Sequence, residues 1–254
     1  MRPISKGNGR TPVTEKAVIF LHGFLGSKED WDPFIKELAP LFPELRLLAL
    51  DLPLEHDLAP KEWLAHICKE ERIVASAFVG YSMGARLALY LADELAATRG
   101  LFLESLTLGE ASEQSRRARR EHDYHLLNKV LAREESFADF LERWYRQEVF
   151  SGISDHPDYQ RLLLTRKLRL HNRNLSSAAL PYLHEKLLSF SSRANGSSLF
   201  YLVGADDNKY RKLCPPSITP HIIAGASHNI HFMQPTPYLA LLASAMHLWF
   251  RKCE

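Results

Sequence analysis

The sequence is short of cysteine, short of net charge and without any long apolar run. Only three of its 254 residues are cysteine, namely Cys68, Cys214 and Cys253. An odd number of thiols so far apart suggests neither a disulfide framework nor a cysteine-rich zinc site, and it suits a reducing compartment. The formal net charge is +2, too small to make nucleic acid the main partner, although local basic clusters are present. No apolar stretch is long enough to cross a bilayer, and residues 1–16 are polar where a signal peptide would be apolar. These absences predict a soluble, cytoplasmic protein with no membrane span. Internal repeats and low-complexity segments are also missing. What is present is a hydrophobic content of 46%, enough to bury one large domain or a domain carrying an insertion.

The chain is organised around Phe78-Val79-Gly80-Tyr81-Ser82-Met83-Gly84-Ala85-Arg86. Ala75 to Val79 is a short apolar run of the kind buried on both faces of a sheet, and a helical pattern follows through Leu87, Leu91 and Leu95. Ser82 therefore falls at a strand-to-helix corner inside a G-x-S-x-G sequence, where two glycines permit the sharp bend that lifts a serine hydroxyl above a sheet. Upstream, Ala17 to Leu21 and Leu45 to Leu50 read as strands. Ser27 to Asp30 offers caps for a helix carrying Trp31, Phe34, Leu38 and Leu41, and Pro60 to Lys69 reads as a short helix. Leu101 to Leu108 is a further strand. This alternation predicts an α/β fold with a mostly parallel sheet of about six or seven strands flanked by helices.

From Ser112 to about Ser192 the sequence shows only helical periodicity with many charges. Residues 112–192 are expected to form an inserted helical cap on a core of residues 1–111 and 193–254. Strands resume at Leu199 to Val203 and at His221 to Ile223, and Pro237 to Phe250 closes the chain as an amphipathic helix.

A serine hydroxyl becomes a useful nucleophile or base when a histidine takes its proton and an acid fixes that histidine's tautomer. Of the 12 histidines, His228 stands out because it lies in Gly225-Ala226-Ser227-His228-Asn229, directly after the last strand. The acid falls in Gly204-Ala205-Asp206-Asp207, with Asp207 preferred to Asp206 and Glu110 a lesser candidate. Donors for a developing oxyanion are expected from the backbone N–H groups of Met83, at the helix start, and Phe24, in the loop after the first strand. His22 is placed to brace that loop.

Leu21-His22-Gly23-Phe24, Asp51-Leu52-Pro53, the Ser82 elbow and the His228 loop together resemble the α/β-hydrolase superfamily. Within it the chain resembles the 2-succinyl-6-hydroxy-2,4-cyclohexadiene-1-carboxylate synthases of menaquinone biosynthesis. The residues that carry this are Arg86, Trp144-Tyr145 with Val149-Phe150, Arg166, and Asp207-Asn208-Lys209-Tyr210. Arg119 is the best match in the run Arg116-Arg117-Ala118-Arg119-Arg120. The resemblance implies a small anionic substrate with several carboxylates, held by Tyr81, Arg86, Arg119, Trp144, Tyr145, Arg166 and Lys209. Two stretches depart from the family pattern. Leu54-Glu55-His56 stands where Gly-His-Gly is usual, and Arg166 to Asn174 is longer and more basic.

The resemblance implies a lyase in which the serine, histidine and aspartate system takes a proton and pyruvate is eliminated. A triad-activated serine can act as a base and oxyanion donors can support enolate-like charge, so the same groups serve that reaction or ester cleavage. Neither reaction calls for a metal or an organic cofactor. A hydrolase of small carboxylic or thioesters is the alternative, followed by a non-catalytic hydrolase-fold binding protein. The oligomeric state is not encoded in any motif.

Overall fold

Among the described residues six strands, each preceded or followed by helix, form one fully parallel sheet in the order β2-β1-β3-β4-β5-β6. They are β1 (Glu15–Leu21), β2 (Arg46–Leu50), β3 (Ile73–Tyr81), β4 (Gly100–Glu104), β5 (Ser198–Gly204) and β6 (His221–Ile223). The computed structural model describes residues 15–53, 59–95, 98–108, 112–170, 198–216 and 218–251. Glu110, the Leu54-Glu55-His56 departure and the expected cap beyond residue 170 lie outside those residues.

The strands alternate sides with period two, and both sides are covered, which is why they read as continuous apolar runs. Ala17, Ile19, Leu21 and Phe78 face a core shared with α2 (Pro60–Glu71) and α3 (Met83–Glu94). Val18, Phe20 and Val79 face the opposite core, built with α1 (Asp32–Leu38) and the C-terminal helix Pro235–Phe250. Phe20 and Phe78 are wholly buried, and each such side chain contributes about 1.5–3 kcal/mol of transfer free energy.

Between β4 and β5 the described chain is helical. It contains α4 (Glu113–Leu131), α5 (Phe137–Tyr145), two 3₁₀ turns (Glu148–Phe150 and Ile153–Asp155) and α6 (Tyr159–Leu170). Leu127, Phe140, Leu141, Tyr145, Phe150, Ile153 and Leu162 form a third apolar cluster that reaches Leu25 in the loop after β1. The short helices after β5 and β6 are α7 (Asn208–Leu213) and α8 (Ile230–Met233), and the C-terminal helix is α9 (Pro235–Phe250).

Two sequence expectations are corrected in detail. The strand expected over Leu101 to Leu108 stops at Glu104, because Ser105 adopts a left-handed φ of 51° that breaks the extended backbone. The helix expected to carry Trp31 through Leu41 is split into a 3₁₀ turn (Lys28–Trp31), α1 and a second 3₁₀ turn (Ala39–Leu41), and Leu41 is exposed. Prolines at 33 and 40 sit at the starts of the two later pieces, where a missing N–H costs little. No helix among the described residues is long and apolar enough to cross a membrane. Cys68 and Cys214 are free thiols, both pushed up by burial.

Candidate active site

The site begins where β3 runs into α3. Ser82 has φ 50°, ψ −105°, outside the regions a non-glycine residue prefers, and strain of this kind persists only where the surroundings over-determine it. Here the flanking glycines do so. A Cβ on Gly80 would lie 2.6 Å from the Ala85 Cα, and one on Gly84 would run into the carbonyl oxygens of Leu21 and His22. The turn therefore packs flush against β1, and Ser82 stands half-buried at the carboxyl edge of the sheet.

Ser82 Oγ lies 3.0 Å from His228 Nε2, and His228 Nδ1 lies 2.8 Å from Asp207 Oδ2. A carboxylate only accepts, so the Nδ1 carries the proton and the Nε2 is left to accept from the serine hydroxyl. Asp207 is fully buried and accepts on both oxygens, since its Oδ1 takes the Tyr210 N–H at 3.0 Å as the N-cap of α7. Asp206 is exposed, and its backbone N–H goes to the Ala226 carbonyl. The His228 ring is enclosed by Tyr81, Phe150 and Tyr210, with centroids 5.5, 5.5 and 4.2 Å away. Its backbone N–H donates to Val149 at 2.9 Å, so the helical segment after β4 touches the histidine directly.

Met83 opens α3, where the first backbone N–H groups have no acceptor within the helix. Phe24 lies in the turn closed by the Gly26 N–H to Gly23 carbonyl bond. His22 braces that turn as expected. Its Nδ1 bonds the Gly23 carbonyl at 2.7 Å and its Nε2 accepts from the Leu52 N–H at 3.2 Å, tying the loop after β1 to the loop after β2.

The expected binding residues divide into two groups. Arg86 is buried one turn beyond Ser82, Arg119 is half-buried on α4, and Tyr210 is buried against the His228 ring. Burial holds the Tyr210 hydroxyl above the ordinary tyrosine range against the opposing pull of the Arg119 and Arg86 charges. Trp144 packs its ring on Phe24 at 4.9 Å, and Tyr81 lies against His228. Tyr81 and Tyr210, the latter from the Asp207-Asn208-Lys209-Tyr210 stretch, thus flank the His228 ring, and Arg86 stands one turn beyond the serine.

Arg166 is differently placed. Its Nη1 donates to Asp30 at 2.7 Å, and its Nε makes a long 3.5 Å contact with the Tyr145 hydroxyl. Burial opposes its charge, but Asp30 more than compensates and raises the guanidinium above its usual value. Tyr145 is buried among Phe150 and Tyr159, as a core residue of the helical segment. Lys209 is exposed on α7 with its Nζ 5.9 Å from the Tyr210 ring centroid. Sequence reasoning also missed Arg169, which bonds Ser27 at 2.6 Å and Asp30 at 3.3 Å, and the buried pair Glu104 and His231.

A hydroxyl, imidazole and carboxylate in line at an elbow of a parallel sheet define the class. The chain belongs to the alpha/beta hydrolase family, whose profile matches residues 18–241. Its relatives there include the Citrobacter koseri 2-succinyl-6-hydroxy-2,4-cyclohexadiene-1-carboxylate synthase, 30% identical over 259 residues that cover 96% of this chain and 98% of that one. A Haemophilus influenzae protein provisionally named for the same activity is 33% identical over 232 residues, covering 84% of this chain and 90% of its own. In fold the chain is similar to the solved structure of MenH from S. aureus, with a TM-score of 0.73 at 21% identity over 94% of this chain and 96% of that one.

Proposed function

We propose that this protein is a lyase of menaquinone biosynthesis that eliminates pyruvate from a succinylated cyclohexene polycarboxylate, with Ser82, His228 and Asp207 as its catalytic triad. In this reading His228 takes the Ser82 proton, and the activated oxygen removes a C–H proton from the substrate. The electron pair left behind becomes a ring double bond as the C–O bond to the leaving group breaks; its electrons leave on the oxygen of an enolate, which takes back one proton at carbon to become pyruvate. Asp207 holds the histidine in the tautomer that can accept. The Met83 and Phe24 amides support negative charge on a substrate oxygen as it develops. Residues 112–192 act as the cap that closes over the substrate and excludes water, and the protein works in the cytoplasm.

The observation that carries this reading is the buried Arg86 one turn beyond Ser82 on α3, and Arg119 of α4 is the second cation assigned to the same pocket. A site for a neutral ester has no need of a buried guanidinium one turn from its nucleophile, whereas a polycarboxylate needs fixed planar cations that grip its carboxylates. Trp144 on Phe24 supplies an apolar wall for the ring. Arg166 takes a supporting role, holding Asp30 and Tyr145, and Lys209 steers anions from the rim.

The test follows pyruvate from the cyclohexene substrate and nitrophenol from a neutral p-nitrophenyl ester in separate assays. Charge-assisted hydrogen bonds contribute about 1.5–3 kcal/mol each, so Arg86→Ala and Arg119→Ala should each raise KM for the polycarboxylate roughly ten- to hundredfold. Ester turnover should change less than about threefold, since it loses no such bond. Rapid ester turnover with no pyruvate formed would replace the lyase by a hydrolase of small esters.

A further inference from the structure

His228 is delivered by the least supported strand of the sheet. β6 has three residues, lies at the edge, and is exposed or half-exposed along its length. Two neighbouring residues at the end of the interior strand β4 hold the loop that follows it. Ser105, fully buried, donates its hydroxyl to the His228 carbonyl at 2.8 Å. Glu104, also fully buried, accepts the Ile230 N–H on Oε1 at 2.6 Å and the His231 N–H at 3.2 Å, while its Oε2 accepts from His231 Nδ1 at 2.7 Å. Its own backbone carbonyl takes the Ser82 N–H at 2.8 Å.

One residue thus reaches the nucleophile through its main chain and the segment just after the histidine through its side chain. The His231 ring is held between Trp31 and Tyr81, with centroids 4.8 and 4.9 Å away, and Tyr81 also lies against His228. A carboxylate with no exposure is tolerated only when its oxygens are satisfied, and here three donors fix its position and theirs.

We propose that Glu104 and His231 form a positioning pair that sets His228 within reach of Ser82, a task separate from that of Asp207. This rests on the reading of Ser82, His228 and Asp207 as the triad. The physical need is clear, because a displacement of about 1 Å at a reacting centre costs on the order of a hundredfold in rate.

The experiment uses the full chain and an uncharged alkyl fluorophosphonate. Ser82 oxygen bonds to phosphorus, fluoride leaves with the P–F electron pair, and His228 takes the hydroxyl proton. Intact mass gives the number of labels per chain, and the time course gives the rate constant. Glu104→Gln keeps one accepting oxygen but turns an N–H toward His231, His231→Leu removes the donor, and His231→Gln retains an N–H that can still reach Glu104.

Glu104→Gln and His231→Leu should react about a hundredfold more slowly yet still reach one label per chain, with His231→Gln within about tenfold of the unaltered protein. Glu104→Gln reacting at the unaltered rate would overturn the proposal. So would a smaller labelled fraction at an unchanged rate constant, which is the signature of lost fold rather than lost alignment. An unaltered chain that never reacts would overturn the triad itself and the pair's role with it, whereas a reactive chain indifferent to Glu104→Gln overturns the pair alone.

Discussion

Asp206 and Asp207 are adjacent in sequence and have different surroundings. Asp207 is buried, caps α7 with one oxygen and meets His228 with the other, while Asp206 faces solvent. Asp207→Asn should therefore lower kcat by about a thousandfold or more, because an amide N–H facing Nδ1 imposes the wrong tautomer. Asp206→Asn should stay within about threefold, as surface changes usually do. Ser82→Ala and His228→Ala should each lose about three orders of magnitude or more. A larger loss at Asp206 than at Asp207 in steady-state assays would reverse the choice of acid. At this scale the sequence was informative wherever local backbone demands chose the residue. Ser82 was legible because the flanking glycines serve a bend, and His228 because it follows the last strand. Glu104 with His231 and Asp30 with Arg166 were not, since these partners lie 127 and 136 residues apart and no local pattern records such a contact.

Among the elements, the helical segment after β4 is tied to the sheet through charge as well as apolar packing. Arg166 on α6 meets Asp30 in the 3₁₀ turn before α1, and Arg169 reaches the same carboxylate and the Ser27 hydroxyl. Burial raises the Asp30 carboxyl, but Arg166 outweighs it and leaves the group below its ordinary value of 3.8. A lowered folded value means that the pair's stability is fully present above pH 3.8 and is lost as the pH falls through the lower folded value. Asp30→Asn leaves a buried guanidinium short of its partner and should cost about 3–5 kcal/mol at pH 7. Urea unfolding at pH 7, 5 and 3 should show the variant's deficit shrinking toward pH 3. An equal deficit at all three values would contradict the ion-pair account. Element boundaries were less legible than their order. The Leu101 to Leu108 run stayed apolar past the true strand end because Leu106 is buried in irregular backbone, and hydropathy does not distinguish the two.

For the molecule as a whole, the alternation of apolar runs and helical patterns was enough to predict a parallel α/β sheet, because strands covered on both faces must be apolar throughout. The strand order, with β1 between β2 and β3, depends on crossover geometry that a linear pattern carries only indirectly. What joins the fold to a reaction is the meeting of three distant regions over the sheet edge: the elbow, the loop after β5 that carries Asp207 and the loop after β6 that carries His228. The central claim is that this meeting makes a pyruvate-releasing lyase driven by Ser82. Its most direct test is the time course of pyruvate formation from the succinylated cyclohexene substrate by the purified chain and by Ser82→Ala. The account predicts one pyruvate per substrate consumed and a rate about a thousandfold or more lower in Ser82→Ala. Consumption of substrate without pyruvate, or equal rates in the two proteins, would contradict it.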